Sequence, residues 1–276
     1  MLACNACLEP NRPVLSACYP RAEHLFRKMN GGSQASLVSA SDSNFYVVKS
    51  AEGPQGPNVV LNEALGSMLS EHLGLPTPLW RPIRVDRKFQ AENPGFRFET
   101  ERGTRAPASG LYFGSRFIFP PTDGEVYETV PHGWVDRINN PALFIRMLLL
   151  DLWAENSDCR QALLVESPPR RTLDVVFFDH GHMFGGPYGH EAQRTAETCL
   201  YRHRKIYQIP LGSSEMVKWM MRRIETISET QLRGMLAGLP PEWRDDKIEN
   251  GAIDLLLRNQ RNLHERAHGL LRKMLN

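Results

Sequence analysis

Two carboxylates in the middle of the chain stand where hydrophobic elements end. Asp179 follows directly on Val175-Val176-Phe177-Phe178, and Asp158 follows Asn156 and Ser157 in a polar turn after an apolar run. A carboxylate fixed at the end of an apolar strand is costly to bury unless it meets a partner or a metal ion. Upstream stand a glycine turn, Asn30-Gly31-Gly32-Ser33-Gln34, a lysine at the end of an apolar stretch, Lys49, and an acid within a helical stripe, Glu63. Taken singly, each has a plainer reading. Gly31-Gly32 suits an ordinary hairpin, Lys49 a solvated strand end, Glu63 a surface charge on an amphipathic helix, and Asp158 an Asx turn.

Taken in order, they make the set that phosphoryl transfer from a nucleotide needs. Gly31, Gly32, Ser33 and Gln34 can lay backbone N–H groups over phosphates, because glycine allows close approach and positive φ. Lys49 can neutralise phosphate charge, and Glu63, on the next helix, can hold its ammonium group. Asp158 can accept the proton of an acceptor hydroxyl or orient it. Asp179 can ligate Mg²⁺, a hard cation that takes carboxylate oxygens and water.

The elements that must carry these residues follow from pattern. Residues 24–29, 35–39 and 45–49 read as strands, with Ser41-Asp42-Ser43-Asn44 as the turn between the last two. Residues 58–73 form the clearest amphipathic helix: Leu61, Ala64, Leu65, Met68, Leu69 and Leu73 keep the stripe, and Gly74 stops it before Pro76. Strands follow at 80–85 and 111–119, separated by a charged, Gly- and Pro-rich stretch, 86–109, that reads as a surface excursion. Pro141 opens a helix to about Trp153, with Asn139 and Asn140 as cap candidates. A strand follows Asp158, and the basic turn Pro168-Pro169-Arg170-Arg171 leads to another at 173–178. Helices at 213–226, 228–237 and 248–274 complete the chain, with a turn at 238–247 that contains Pro240, Pro241 and Trp243.

The expected organisation is α+β and bilobal. An irregular lead-in (1–20) precedes a β-rich nucleotide-binding lobe with one key helix (21–125) and a mainly helical catalytic lobe (126–276).

Composition bounds the function classes. Over 276 residues, 41% hydrophobic and 23% charged content is that of a soluble globular protein. A formal charge of +2 gives no reason to expect nucleic acid or an anionic membrane as partner. No run approaches the roughly 18 apolar residues of a membrane span; the longest, 143–153, is interrupted by Arg146 and Asp151. The N-terminus shows no apolar segment of a signal peptide, and a cytoplasmic location is expected. The odd cysteine count (Cys4, Cys7, Cys18, Cys159, Cys199) fits reduced thiols there. Cys4 and Cys7 have CxxC spacing, but no second pair completes a zinc site.

As an ordered set, a series of short motifs resembles the HipA-like kinases, a family related to the persistence-toxin Ser/Thr kinase. They are Lys28-Met29-Asn30-Gly31-Gly32-Ser33-Gln34-Ala35, Tyr46-Val47-Val48-Lys49, Gln55-Gly56, Asn62-Glu63 and Leu73-Gly74-Leu75-Pro76-Thr77-Pro78. Phe113-Gly114-Ser115-Arg116, Asp151-Leu152-Trp153, Asn156-Ser157-Asp158 and Phe178-Asp179-His180-Gly181 continue the series, over about residues 24–200. The resemblance implies a protein-kinase-like fold, ATP and Mg²⁺ as cofactors, and a Ser or Thr hydroxyl of a protein as acceptor. By it, Lys49 is the nucleotide-phosphate lysine, Glu63 its partner and Asp158 the catalytic acid. Asp179 is then the metal-binding acid of an Asp-Phe-Gly-type motif, written here Asp-His-Gly. The kinase pattern also puts a metal-binding Asn five residues after the catalytic acid, where this chain has Leu163, and no Asn lies between Asp158 and Asp179. Gln161 is the nearest amide, some family members are similar in reading Arg-Gln-Ala here, and Gln161 becomes the second metal candidate.

Two other readings stand beside this one. A pseudokinase or nucleotide-binding interaction module would keep the fold without turnover. A divalent-metal hydrolase would use Asp179, His180 and His182, with His190 and His203 near in sequence; alternate residues of an extended segment face one side. The basic run Arg202-His203-Arg204-Lys205 reads as a solvated face.

Overall fold

The computed structural model describes residues 19–189, 197–207 and 214–275. Cys4, Cys7, Cys18 and His190 therefore lie outside the described residues. The fold is α+β, and its contacts divide the chain into two compact units. One comprises residues up to Pro54 and Leu79–Phe117; the other comprises Gln55–Pro78 and Ile118–Asn276.

The first unit is built on an antiparallel sheet of β1 (Ala22–Lys28), β2 (Ser36–Ala40), β3 (Phe45–Lys49), β4 (Trp80–Val85) and β7 (Gly110–Arg116), in the order β1-β2-β3-β7-β4. Val38, Tyr46, Val48, Ile83 and Tyr112 cover one face and exclude water from it. At the β2–β3 turn, the Asp42 carboxylate accepts hydrogen bonds from Asn44 N (3.2 Å) and Tyr46 Oη (2.7 Å). That is the local bonding by which Asp favours turns.

The stretch 86–109 corrects the expectation of a surface excursion. It contains α2 (Arg87–Glu92), β5 (Phe98–Thr100) and β6 (Gly103–Arg105), and it buries Phe89, Phe96 and Phe98. Asp86 caps α2 by accepting from Phe89 N, and Asn93 ties its end to β1 by accepting from Leu25 N at 2.9 Å. Three phenylalanines at irregular intervals have no period, so pattern reading passes over them.

In the second unit, α1 (Val59–His72) is buried on almost every side. It is therefore a core helix, covered on more faces than the amphipathic stripe of its leucines requires. A three-stranded sheet, order β10-β9-β8, joins β8 (Val126–Tyr127), β9 (Gln161–Ser167) and β10 (Thr172–Phe178). The very short β8 had no signal of its own. Around them lie α3 (Ala142–Trp153), α4 (Ser214–Glu225), α5 (Glu229–Ala237) and α6 (Asp246–Leu275). Phe144 of α3 meets Phe177 of β10 edge to face at 5.2 Å. The buried Trp153 indole donates to Leu256 O of α6 at 2.8 Å. Of the basic run, Arg202, Arg204 and Lys205 are exposed, as a solvated face requires. Among the described residues no helix is long and apolar enough to cross a membrane.

Candidate functional site

Asp179 is the first residue after β10, and its backbone lies in the left-handed region at φ 63°. Asp tolerates that conformation better than most residues, but holding it costs about 1 kcal/mol or more unless the surroundings fix it. The ladder pairs Gln161 with Phe178, so the first residue of β9 comes beside the residue after β10. There Gln161 Nε2 donates to Asp179 Oδ2 at 2.6 Å. A carboxylate oxygen can only accept, so the amide must turn its NH₂ toward it and its carbonyl oxygen elsewhere. Leu163, where an Asn was expected, pairs with Val176 further along the ladder.

The backbone on either side of Asp179 is held by Arg160. Its Nη1 donates to Phe178 O at 2.7 Å and to Asp179 O at 3.1 Å, and lies 3.4 Å from His180 Nδ1. The rest of the guanidinium is forked on Asp151 of α3: Nε to Oδ2 at 3.0 Å and Nη2 to Oδ1. Asn156 Nδ2 donates to the same Oδ1 at 2.9 Å. Both charged side chains are buried. Burial lifts the Asp151 carboxyl above its usual range against the pull of Arg160 and Asn156. The same burial works against the Arg160 cation, yet the facing carboxylate outweighs it and holds the guanidinium above its ordinary value. The forked contact with Asn156 behind it makes an ion pair the stable form.

From the other side, α1 closes on the segment after Asp179. Glu63 is buried, so the plainer reading of a surface charge falls away, and its Oε2 accepts from His180 N at 3.1 Å. Asn62 Nδ2 faces three carbonyls: Gly181 O (3.0 Å), Met183 O (2.9 Å) and Gly186 O (3.2 Å). Two glycines permit the approach. A Cβ on Gly66 would lie 2.5 Å from His180 Cβ, and one on Gly181 would lie 2.9 Å from Val59 Cγ2.

This geometry removes the basis of the hydrolase alternative. The segment 179–183 is not extended: Asp179 is left-handed and Met183 N donates back to His180 O at 3.0 Å. The two imidazoles consequently take different neighbours, His180 at Arg160 and α1, His182 at Gln55 Nε2 (3.0 Å). Among the described residues no group of three or more His, Cys, Asp or Glu side chains is arranged to hold a metal ion.

Asp158 sits partly buried in the turn between α3 and β9. The turn is an Asx turn, but Asn156 makes it: Asn156 Oδ1 accepts from Asp158 N at 3.2 Å. Asp158 Oδ1 accepts from Cys159 N at 2.7 Å. Its Oδ2 accepts no hydrogen bond among the described residues, which leaves one oxygen to act on a hydroxyl.

In the first unit, Gly31, Gly32, Ser33 and Gln34 form the β1–β2 turn. Gly31 has φ 126°, and a Cβ there would meet nothing within 4 Å; backbone conformation, not crowding, requires the glycine. The Gln34 side chain clamps the β5–β6 hairpin: its Oε1 accepts from Glu99 N at 2.7 Å and its Nε2 donates to Glu99 O at 2.8 Å. Lys49 ends β3 opposite Phe113 of β7.

Thus Glu63, Gln161 and Asp179 all border one segment, and Asp158 precedes the strand that carries Gln161, whereas the glycine turn and Lys49 belong to the other unit. Sequence reasoning named Asp151 and Asn62 only within family motifs, without a role, and missed Arg160. A signal for the first existed: Asp151 is the acid that interrupts the apolar run 143–153.

A family model for HipA-like kinases matches residues 23–268. Among solved structures, the fold is similar to the Golgi casein kinase with Mn/ADP bound, at 11% identity and a TM-score of 0.52 over 90% of this chain and 73% of the other. A second structure of a Golgi casein kinase gives 12% identity and 0.51 over the same shares. The Helicobacter pylori proinflammatory kinase CtkA gives 10% and 0.49, over 88% of this chain and 95% of the other. The two Golgi casein kinase matches show the fold to be protein-kinase-like. No curated protein matches the sequence significantly.

Proposed function

We propose, for a chain that belongs to the HipA-like kinase family, an ATP-dependent phosphotransferase that delivers the γ-phosphate to a Ser or Thr hydroxyl of a protein. The observation that carries this reading is the Asp179–Gln161 pair: an acid in a fixed left-handed turn at a strand end, with an amide 2.6 Å away. A carboxylate and an amide carbonyl are hard oxygen donors, which fits Mg²⁺ or Mn²⁺. Asp179 would hold such an ion, and Gln161, whose NH₂ faces the carboxylate here, would become a second donor by turning its amide to present Oε1. When bound, the cation would neutralise phosphate charge.

The remaining roles belong to the chain itself. Lys49, steadied by Glu63, would counter phosphate charge beneath the turn of Gly31, Gly32, Ser33 and Gln34. Asp158 would orient the acceptor hydroxyl through its open carboxylate oxygen. We assign the nucleotide lobe to residues 21–125 and the catalytic lobe to 126–276. Transfers of this kind rest on positioning and electrostatics, so loss of Asp158 should remove turnover and spare nucleotide binding.

The test is incubation of the purified protein with γ-labelled ATP and Mg²⁺, with itself and casein as acceptors. Label on Ser or Thr in the parent, absent in Asp158→Asn and Asp179→Asn, is the expected result. ATP binding without transfer in the parent would make the chain a pseudokinase. Full transfer by Asp158→Asn would remove Asp158 from the mechanism.

A further inference from the structure

We infer that the buried Arg160, anchored on Asp151, is a positioning residue that sets the backbone conformation of Asp179 and thereby its affinity for a divalent cation. The inference rests on the proposed reading of Asp179 as the metal-binding acid.

A single nitrogen, Arg160 Nη1, donates to the carbonyls of Phe178 and Asp179. Those two carbonyls belong to the two peptide planes that flank Asp179. Fixing both planes fixes its φ and ψ, and hence the direction of its Cα–Cβ bond. The conformation so fixed is the left-handed one, which costs an Asp free energy relative to the ordinary regions. Arg160 in turn cannot move, because its other two nitrogens are forked on Asp151. The line of constraint runs from α3 through Asp151 and Arg160 to the turn that aims the Asp179 carboxylate at Gln161.

Stability alone does not account for this pair. A buried ion pair loses in desolvation about what it gains in attraction, and well-packed apolar residues of similar volume often replace one without loss. Here the guanidinium also does what no apolar side chain can, which is donate to the two carbonyls. A lysine cannot do it either: one ammonium lacks the planar fork that reaches a carboxylate on one side and two carbonyls on the other.

The test uses ADP titrated calorimetrically with and without Mn²⁺, and thermal unfolding to establish that each variant folds. The double variant Asp151→Leu/Arg160→Met removes both charges together, so neither is left buried alone. It should unfold near the parent temperature and bind ADP alone as the parent does, while the gain in ADP affinity due to Mn²⁺ falls roughly 10–100-fold, the range for groups that orient metal-binding residues. Arg160→Lys keeps both charges and should lose the same gain. If the double variant does not fold, Arg160→Lys decides alone. A folded variant that keeps the full Mn²⁺ gain overturns the inference and leaves the kinase reading intact. A parent that shows no Mn²⁺ gain overturns both.

Discussion

Gly66 offers a substitution whose sign is set by one distance. It lies within α1, where alanine is worth about 1 kcal/mol more than glycine because glycine surrenders more backbone freedom on folding. Helix propensity alone therefore predicts that Gly66→Ala stabilises. The added Cβ, however, would lie 2.5 Å from His180 Cβ, 2.8 Å from His180 Cγ and 3.0 Å from Met183 Sδ. Carbon atoms rest at about 3.5–4.0 Å, so one side must retreat by roughly 1 Å. The atom in the way is the root of a side chain, not its flexible end. The backbone that carries it is tied to α1 by Glu63 and Asn62 and to β10 through Arg160. Overpacking of this kind costs about 1–3 kcal/mol, and a neighbour so restrained belongs at the upper end. After the propensity gain, a net loss of about 2 kcal/mol remains, which lowers the unfolding temperature by about 4–8 °C in a chain of this size.

Gly234 of α5 supplies the control, since a Cβ there would meet nothing within 4 Å. Gly234→Ala should raise the unfolding temperature by about 2–4 °C, for the same 1 kcal/mol without the clash. Both variants can be followed by circular dichroism on heating. On the proposed function, Gly66→Ala should also lose phosphoryl transfer, about 100-fold for a displacement near 1 Å at the reacting groups. If Gly66→Ala proves as stable as the parent, or more so, the close packing of α1 on the segment after Asp179 is wrong.

Other consequences follow from single contacts. Asn62→Ala leaves Gly181 O without its donor, while Met183 O and Gly186 O keep the backbone donors Gly186 N and Gly189 N; a loss of about 1–3 kcal/mol is expected, the cost of one buried group left unpaired, read by urea unfolding together with faster amide exchange in 181–187. Ser228 caps α5 in a reciprocal pair with Gln231, so Ser228→Ala should cost about 1 kcal/mol in the same assay, and an unchanged midpoint would show the cap to be idle. Tyr112 is buried and its hydroxyl donates to Ala108 O at 2.8 Å; burial first of all pushes its pKa up from 10.0 to about 12. Between those pH values the unfolded chain has released a proton that the folded chain retains, so stability falls as pH rises, by up to about 2–3 kcal/mol from this group. Tyr112→Phe should flatten that alkaline decline, and an identical slope in both proteins would exclude Tyr112 as its source.

How much of this was readable beforehand divides along physical lines. Where the hydrophobic period is regular, the sequence is sufficient: β3 and β4 run over the expected residues, and α1 and α3 end within a residue of their expected limits. Where burial comes from unspaced aromatics, as at Phe89, Phe96 and Phe98, periodicity is silent. The candidate site shows the same division. Asp179 stood out because an acid directly after four apolar residues demands an explanation. Glu63 did not announce its burial, since a leucine stripe describes the most apolar face of a helix and does not say whether the other faces are covered. Arg160 was invisible as a positioning group because its partners are a side chain nine residues earlier and two backbone carbonyls eighteen and nineteen residues later. Backbone acceptors carry no residue identity, and no pattern of side chains reveals them.

Strand register also changes the meaning of the missing Asn. Counting from Asp158 assumes that the residues after it leave the strand start at a fixed step. In this chain β9 begins at Gln161, only three residues beyond Asp158, and its pairing with Phe178 sets that amide beside Asp179. Leu163 pairs with Val176, two residues back along β10, and at about 3.3 Å per residue its Cα is displaced by roughly 6–7 Å along the strand. An Asn at that position would share the face of Gln161 but stand too far along the strand for so short a side chain to reach the acid. The amide beside Asp179 is therefore selected by the register of the hairpin, and Gln161 occupies the place that the register makes available. Arg160, one residue before it, fixes the acid's backbone, so the dipeptide Arg160-Gln161 addresses Asp179 twice: once through its peptide planes and once through its carboxylate.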